Sequence, residues 1–382
     1  MFFQCPKCKK TWQYPIEKCP DCFSKTERVS SKKIKVISVS WVSIPSPLNP
    51  KIPYFVLLLE DEGGRKWVQK SIKEYKVGDE FKIEPSQDKN AVAIWRVKYD
   101  ILEAIEKVVS LIGKKINTAS KILILPTLIS PKHPYFAQNT SPEVLDQLIK
   151  FLIQRGIKRE NIKIAAQSFN DFPVEASAKK SKFLSVCQKN KVQILDLSQG
   201  KFKRIEKDSY PPKDGASRLA GRPRVPTTIP TPPSNPKTES FVFDVSEVVF
   251  ESDLIINLPI LKLDKKIGIR GALENLTRFL KKESYLGLKY LYGEEKLILS
   301  LKEAIPEILT IADAISIQTS KNAFTAFSDL ILASFNPLNL DRVFGEISMI
   351  NLPEYLKSVN LNKIKIVGRE IGEVQYDLES MI

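Results

Sequence analysis

The chain predicts a multidomain protein: an N-terminal four-cysteine ribbon, a small OB-like β-barrel, and a large α/β domain with a mostly parallel sheet. Three observations carry that expectation. Four of the five cysteines form two Cys-x-x-Cys pairs close to the start. Short β-branched and aromatic runs, broken by turn signals, fill the stretch from Lys32 to Lys98. From Tyr99 onward, apolar strand-like runs alternate with amphipathic helical patterns, which is the rhythm of βαβ units. The expected boundaries are residues 1–31, 32–98 and 99–382.

Composition sets the outer limits. A chain of 382 residues exceeds one ordinary core, and 43% hydrophobic with 27% charged residues is ordinary for a folded protein. The formal net charge of +15 points to anionic partners: small anionic metabolites, nucleic acid or a membrane surface. About half of the excess lies in residues 1–98, so the smaller part is the more basic per residue. No apolar run reaches about 18 residues, and MFFQCPKCKK lacks a signal-peptide layout. A cytoplasmic protein without a membrane partner is expected.

Cys5 and Cys8, then Cys19 and Cys22, form knuckles that turn tightly enough to aim four thiolates at one ion. A closed, structural Zn²⁺ site is expected, with rubredoxin-type iron as the alternative. Trp12 and Tyr14 are expected to pack this ribbon. Next come KIKVISVSWVSI, PYFVLLLEDEGGRKWVQKSI, GDEFKIEP and AVAIWRV, with a hairpin at Asp61-Glu62-Gly63-Gly64. About five short strands suit a small closed barrel. A basic barrel also suits nucleic acid, and Trp41, Tyr54, Phe55, Trp67, Phe81 and Trp95 are available for stacking. Their apolar neighbours make core packing the expected use of most of them.

In the large domain, YDILEAIEKVVSLIG reads as a helix ended by Gly113, KILILPTLI as a strand, and Ser141-Pro142 as the start of the next helix. Cys187 falls on an apolar helical face and reads as core. Residues 210–236 are rich in proline and basic residues, and read as a mobile surface insertion or as a segment that orders over an acidic ligand.

The domain is organised around Leu254 to Leu280. Leu254, Ile255 and Ile256 read as a strand buried on both faces, and Leu273, Leu276, Phe279 and Leu280 as one side of a helix. Between them LPILKLDKKIGIRG reads as a basic loop at the strand ends, where open α/β sheets bind ligands and helix N-termini receive anions. Candidate ligand-binding residues are Asn257, Lys262, Lys265, Gly268, Arg270, Gly271 and Asn275. Lys262 and Asp264 are the catalytic candidates, because a lysine after a buried strand is open to a lowered pKa and the aspartate is a possible partner for it. Asp313 and Asp341 are either contributors to the same crevice or structural. The one histidine, His133, sits between prolines in a loop. No P-loop, dinucleotide fingerprint or nucleophile elbow is present, so no nucleotide cofactor motif is found.

Two family resemblances follow from these residues. The ribbon, the proline-rich Pro45–Pro53 segment, the Lys-Val-Gly-Asp turn and AVAIWRV resemble the zinc-ribbon and OB proteins catalogued as domain of unknown function 35. That resemblance implies a scaffolding or acyl-CoA-facing arm beside thiolase-like enzymes. LPTLISP, SPEVLDQLIKFL, DLIINLPILK, GIRGALENL, ADAISI and LILASFNPLNLDRV resemble the family catalogued as domain of unknown function 362, which implies a fold akin to the nickel-dependent lactate racemase group. Leu125-Pro126-Thr127 replaces that family's usual Lys-Pro-Asn, and Ile260, Leu263 and Asp264 replace its Lys, Thr and His. Thr319-Ser320-Lys321-Asn322 replaces a glycine-rich loop. These departures imply a divergent site. With one histidine, the chain also lacks the imidazoles a racemase-type nickel cofactor needs.

The functional expectation is an anionic small molecule, carboxylate or acyl-CoA-like, bound at the strand ends, with the arm docking a partner or carrier. The alternatives are a non-catalytic scaffold subunit of an acyl-CoA-type enzyme complex, and nucleic-acid binding through the basic arm.

Overall fold

Strands buried on both faces fix this architecture. The structure, a computed structural model, describes residues 2–169, 172–208, 240–264, 268–319 and 325–376. The proline-rich stretch 210–236 lies outside the described residues, as do Lys265, Lys266, Ser320, Lys321 and Asn322.

The ribbon is a small antiparallel sheet of β1 (Phe2–Gln4), β2 (Thr11–Trp12) and β3 (Glu27–Val29). A second antiparallel sheet follows, of β4 (Ile34–Val42), β5 (Tyr54–Asp61) and β6 (Lys66–Ser71). The Asp61 carboxylate accepts the N–H groups of Gly63 and Arg65, each at 3.0 Å, and so sets the expected hairpin.

The rest builds one large two-sided sheet. In chain order it contains β7 (Val92–Arg96), α1 (Ile101–Leu111), β8 (Ile122–Pro126), α2 (Pro142–Gln154), β9 (Ile162–Ala166), α3 (Val174–Lys180), α4 (Phe183–Asn190) and β10 (Gln193–Asp196). A separate two-stranded ribbon, β11 (Phe202–Asp208) with β12 (Ser240–Ser246), comes next. Then follow β13 (Leu254–Leu258), β14 (Ile260–Asp264), β15 (Gly268–Arg270), α5 (Ala272–Leu276), α6 (Lys282–Tyr292), α7 (Glu294–Ala304), β16 (Ile308–Gln318), β17 (Thr325–Ser334), α8 (Pro337–Ile347), α9 (Glu354–Lys357), β18 (Ile366–Gly368) and α10 (Ile371–Val374). The sheet order is β10-β9-β8-β13-β16-β17-β7-β18, with β14 beside β16 and β15 beside β14. Only β15 and β17 run against the other strands of this sheet, so it is mostly parallel.

Every residue of β8 and of β13 is buried, as a parallel strand between two layers requires. Helices α1, α2 and α4 cover one face, with Ile105, Leu148 and Phe183 in that core. On the other face Leu273, Phe279 and Leu297 pack with Phe241 and Phe243 of β12, and Leu340 and Phe344 of α8 form the neighbouring cluster.

Two expectations are corrected. AVAIWRV does not close a barrel with β4–β6: it is β7, which pairs with β17 and β18. Its physical reason is burial, since Val92, Ala93 and Ile94 are all fully enclosed, whereas a small barrel's wall strand turns alternate residues outward. Among the described residues β4–β6 form an open sheet, flanked by one bridge from Lys35 to Glu80. Likewise LPILKLDKKIGIRG is not a plain loop: its ends are β14 and β15, an antiparallel pair in which Lys262 faces Arg270. Of the aromatics of which most were expected to pack inward, Trp41 is 64% exposed.

The arm is fastened to the large domain. Arg28 pairs with Asp100 and, at 3.3 Å, with Glu106; Lys73 pairs with Glu370 at 2.5 Å; and Lys98 donates to the Val68 carbonyl at 3.3 Å. Because β7 is an inner strand, a fragment starting at Tyr99 leaves β17 and β18 with open edges. It is expected to aggregate, whereas one starting at Pro85 stays folded, as size-exclusion and circular dichroism would show. An equally well-folded Tyr99 fragment would place β7 outside the core.

Candidate functional site

β13 stops at Leu258 because Pro259 cannot continue its ladder, and β14 resumes alongside the upper half of β16. That break puts side chains at the carboxyl ends of the parallel strands. Asn257 and Asn275, both buried, meet there: Asn275 Nδ2 donates to Asn257 Oδ1 at 2.8 Å and to the Leu125 carbonyl at 3.0 Å. Asn257 Nδ2 donates to the Ala272 carbonyl at 2.9 Å. Thr127 completes the group, its hydroxyl donating to Asn275 Oδ1 at 2.9 Å and accepting from the Ile260 N–H at 3.2 Å. The candidate ligand-binding amides are thus engaged in joining β8, β13 and α5.

The helix N-terminus expected to receive an anion already holds one. Asp341, from α8, accepts the N–H groups of Ala272 and Leu273 at 2.7 and 2.9 Å. Gly271 is required here because a Cβ would lie 2.3 Å from Asp341 Oδ1. Gly268 serves the chain's turn, with φ of +75° and Pro353 packed against it. Asp313 is also internal: it accepts the N–H groups of Ser141 and Ile315 at 2.8 and 3.1 Å, tying β16 to the start of α2. Burial pushes the Asp313 carboxyl up to about 6 and that of Asp341 to about 7, against the lowering effect of these backbone donors.

Lys262 is the site residue with capacity to spare. It is 5% exposed, and its ammonium donates to the Gln138 carbonyl at 3.2 Å. Burial pushes its pKa down to about 8, which nearby Glu274 opposes. Asp264 does not pair with it as expected, but with Arg270 at 2.9 Å across the β14–β15 pair. Sequence reasoning missed Glu274 and Arg278. Glu274 lies 3.3 Å from Arg270 and 3.7 Å from Arg278, an i, i+4 ladder visible in the spacing 270, 274, 278. Burial pushes the Glu274 carboxyl up, but the charges of Arg278, Lys262 and Arg270 outweigh it and hold it below the ordinary range. The Arg278 guanidinium lies over the Phe169 ring at 4.5 Å, and that ring stacks on Tyr285. The arrangement is a desolvated lysine beside a braced arginine–glutamate ladder, which can hold an anion or exchange a proton near neutral pH.

Elsewhere, His133 starts a short turn, its Nδ1 accepting from the Tyr135 N–H at 3.3 Å. Cys187 is 4% exposed, and burial pushes its thiol up to about 11, as a core residue. The four ribbon cysteines do converge. Their sulfurs lie within 4.8 Å of one another, with Cys5 to Cys22 at 3.3 Å and Cys8 to Cys19 at 3.5 Å. Tetrahedral ligation with bonds of about 2.3 Å needs sulfurs about 3.8 Å apart, so the donor set fits a metal ion. The knuckles repeat each other: Lys9 N donates to the Cys5 carbonyl at 3.0 Å and Phe23 N to that of Cys19 at 2.9 Å.

Asp341 offers a direct test. With its pKa raised, its contribution to stability is present below the unfolded value near 4 and is lost as pH rises through about 7. Asp341→Asn is expected to flatten the urea-stability profile between about pH 4 and 7 relative to the unaltered protein. Asp341→Ala strands two amide donors and should cost roughly 2–5 kcal/mol at all pH values.

Residues 226–346, about a third of the chain, match the family described as Domain of unknown function (DUF362). That match does not reach the ribbon or the β4–β6 sheet. A comparison with curated proteins finds no match. Among solved structures the chain is similar to the lactate racemase apoprotein from Thermoanaerobacterium thermosaccharolyticum, with TM-score 0.38 and 13% identity over 71% of this chain. It spans 59% of that protein's length.

Proposed function

We propose that the α/β domain binds an anionic small molecule, a carboxylate or acyl-CoA-like compound, with Lys262 as the anchoring charge, and that the ribbon and β4–β6 sheet form an arm that docks a protein partner or carrier in the cytoplasm. The observation that carries this reading is the Lys262 ammonium, buried at the strand ends with, among the described residues, one hydrogen bond, to the Gln138 carbonyl. A lysine can donate three, and an enclosed charge with donors unmet among the described residues is costly unless a ligand uses them. The departures at Thr127, Leu263 and Asp264 leave proton transfer by Lys262 itself as the chemistry most open to this site.

A second reading, a non-catalytic scaffold subunit of an acyl-CoA-type enzyme complex, is favoured by a different observation. Asn257, Asn275 and Asp341 all spend their polar groups on the protein's own backbone and side chains.

Calorimetry with carboxylates and acyl-CoA thioesters, on the full chain and on Lys262→Met, separates the two. Because the ammonium form binds the anion, affinity is expected to fall as pH rises through about 8, by up to tenfold per unit, and to be lost in the variant. Binding that ignores both pH and the variant would remove Lys262 from the site. No binding by any of these anions would favour the scaffold.

For the ribbon we propose zinc, held by Cys5, Cys8, Cys19 and Cys22, because four thiolates close the site and leave no position for substrate. Unfolding in a thiol-modifying reagent is expected to release one zinc per chain, and Cys8→Ser to lower it to near zero. A visible thiolate-to-iron absorption band with no zinc released would assign iron instead.

A further inference from the structure

The seam between the arm and the large domain encloses a cavity of about 420 Å³, apart from the strand-end site. That size is in the range of pockets for small organic ligands. Its lining combines aromatic rings and cations. The arm contributes Trp67 of β6, set edge-on against Phe2 at 5.6 Å, together with Lys32 and Lys82. The large domain contributes Arg96 and Lys98 at the end of β7, Lys107 on α1 and Arg369 after β18, together with the Trp95 ring. Six lysines and arginines line the cavity against two glutamates, Glu84 and Glu103.

Cations outnumber carboxylates in this lining, although Lys82 pairs with Glu80 at 2.7 Å. Arg369 is 8% exposed, and its carboxylate partner, Glu373, stands 3.8 Å away. Its guanidinium lies over the Trp95 ring at 5.1 Å, and the Lys107 ammonium over the same ring at 5.6 Å. Burial weakens Arg369's hold on its proton, opposed by the charge of Glu373 and assisted by that of Arg96; Lys98 is lowered by burial and then by Arg369 and Arg96. Positive groups that crowd one another in a partly closed space favour an anionic occupant, since an anion removes their mutual repulsion. Inorganic anions alone would leave the aromatic lining unused. A ligand with a planar ring at one end and phosphate at the other satisfies both kinds of group, through ring stacking and charge-assisted hydrogen bonds.

We propose that this seam binds a nucleoside phosphate, its base against Trp67 and its phosphates toward Arg96, Lys98, Lys107 and Arg369. The site differs from those of proteins carrying a phosphate-binding loop, since its cations come from strand ends and a helix flank rather than from a glycine-rich turn. It is independent of Lys262.

The test uses the full-length, metal-loaded protein. ATP and AMP are titrated at low salt, with tryptophan fluorescence and calorimetry as readouts, beside adenosine, inorganic tripolyphosphate and a short single-stranded oligonucleotide. The expected result is binding of ATP or AMP with quenching, at least about tenfold tighter than adenosine or tripolyphosphate. Lys107→Gln, which is on the less buried part of the wall and should leave the fold intact, is expected to weaken ATP. Trp67→Ala should weaken ATP but not tripolyphosphate, and Lys262→Met should change neither. Tripolyphosphate binding as tightly as ATP, with no effect of Trp67→Ala, would reduce the seam to a cationic surface and overturn the proposal. So would an absence of nucleotide binding, or oligonucleotide binding far tighter than ATP.

Discussion

The side-chain amide of Asn275 is the interaction on which the strand-end region depends. It donates to the Leu125 carbonyl near the end of β8 and to Asn257 on β13, and it accepts from Thr127, so that one buried group spans two strands and the helix that carries it. Asn257 extends the network to the Ala272 carbonyl and, more weakly at 3.4 Å, to Thr310 on β16. Each of these atoms would be expensive to bury alone, at roughly 1–3 kcal/mol per unmet group. Satisfied together they fix register, because the apolar residues of β8 and β13 do not by themselves say how far the strands should slide, whereas Asn257 in β13 does. The helix entry at Gly271, the Asp341 cap and the position of β14 all follow from where this network sets the end of β13.

Charge balance separates the two cationic regions. At the strand ends, Lys262, Arg270, Arg278 and Lys289 face Asp264, Glu274 and Glu294, and most of these are paired, as Lys289 is with Glu294 at 3.0 Å. An anion arriving there competes with resident carboxylates and depends on one lysine. At the seam the imbalance is wider and the carboxylates are fewer, so attraction is spread over several cations. The first arrangement favours a small ligand chosen by geometry. The second favours a multiply charged one chosen by charge and by an aromatic surface.

Much of this was legible in the sequence where spacing alone determines contact. Two Cys-x-x-Cys knuckles bring four sulfurs together by local turns, and the strand–helix alternation after Tyr99 forces a two-sided sheet. Partners distant in sequence were not legible. AVAIWRV reads equally well as a barrel strand or a sheet strand, since period and β-propensity say nothing about which strand lies alongside. The basic composition of LKLDKKIGIRG suggested a loop, but Lys262 stands between Leu261 and Leu263 in a strand whose first four residues are buried, which charge counting obscured. Asp341 became the cap of α5 through a contact across 69 residues that no local pattern encodes.

The arm and the domain are joined in a way that links their ligands. Phe2 of the ribbon packs on Trp67, so a metal ion held by the four ribbon cysteines would help to place a residue of the seam's wall, while Arg369 enters from beyond β18. Any molecule that binds both walls therefore binds the docked arrangement better than an undocked one, and stabilises docking by the difference in affinity. Reciprocity follows: a metal that orders the ribbon must tighten the seam's ligand by the same factor by which that ligand tightens the metal. The ion pairs Arg28–Glu106 and Lys73–Glu370 lie near the surface and are weak in this balance, worth less than about 1 kcal/mol each. Occupancy of the seam, rather than these pairs, would then be the larger lever on whether the arm stays seated.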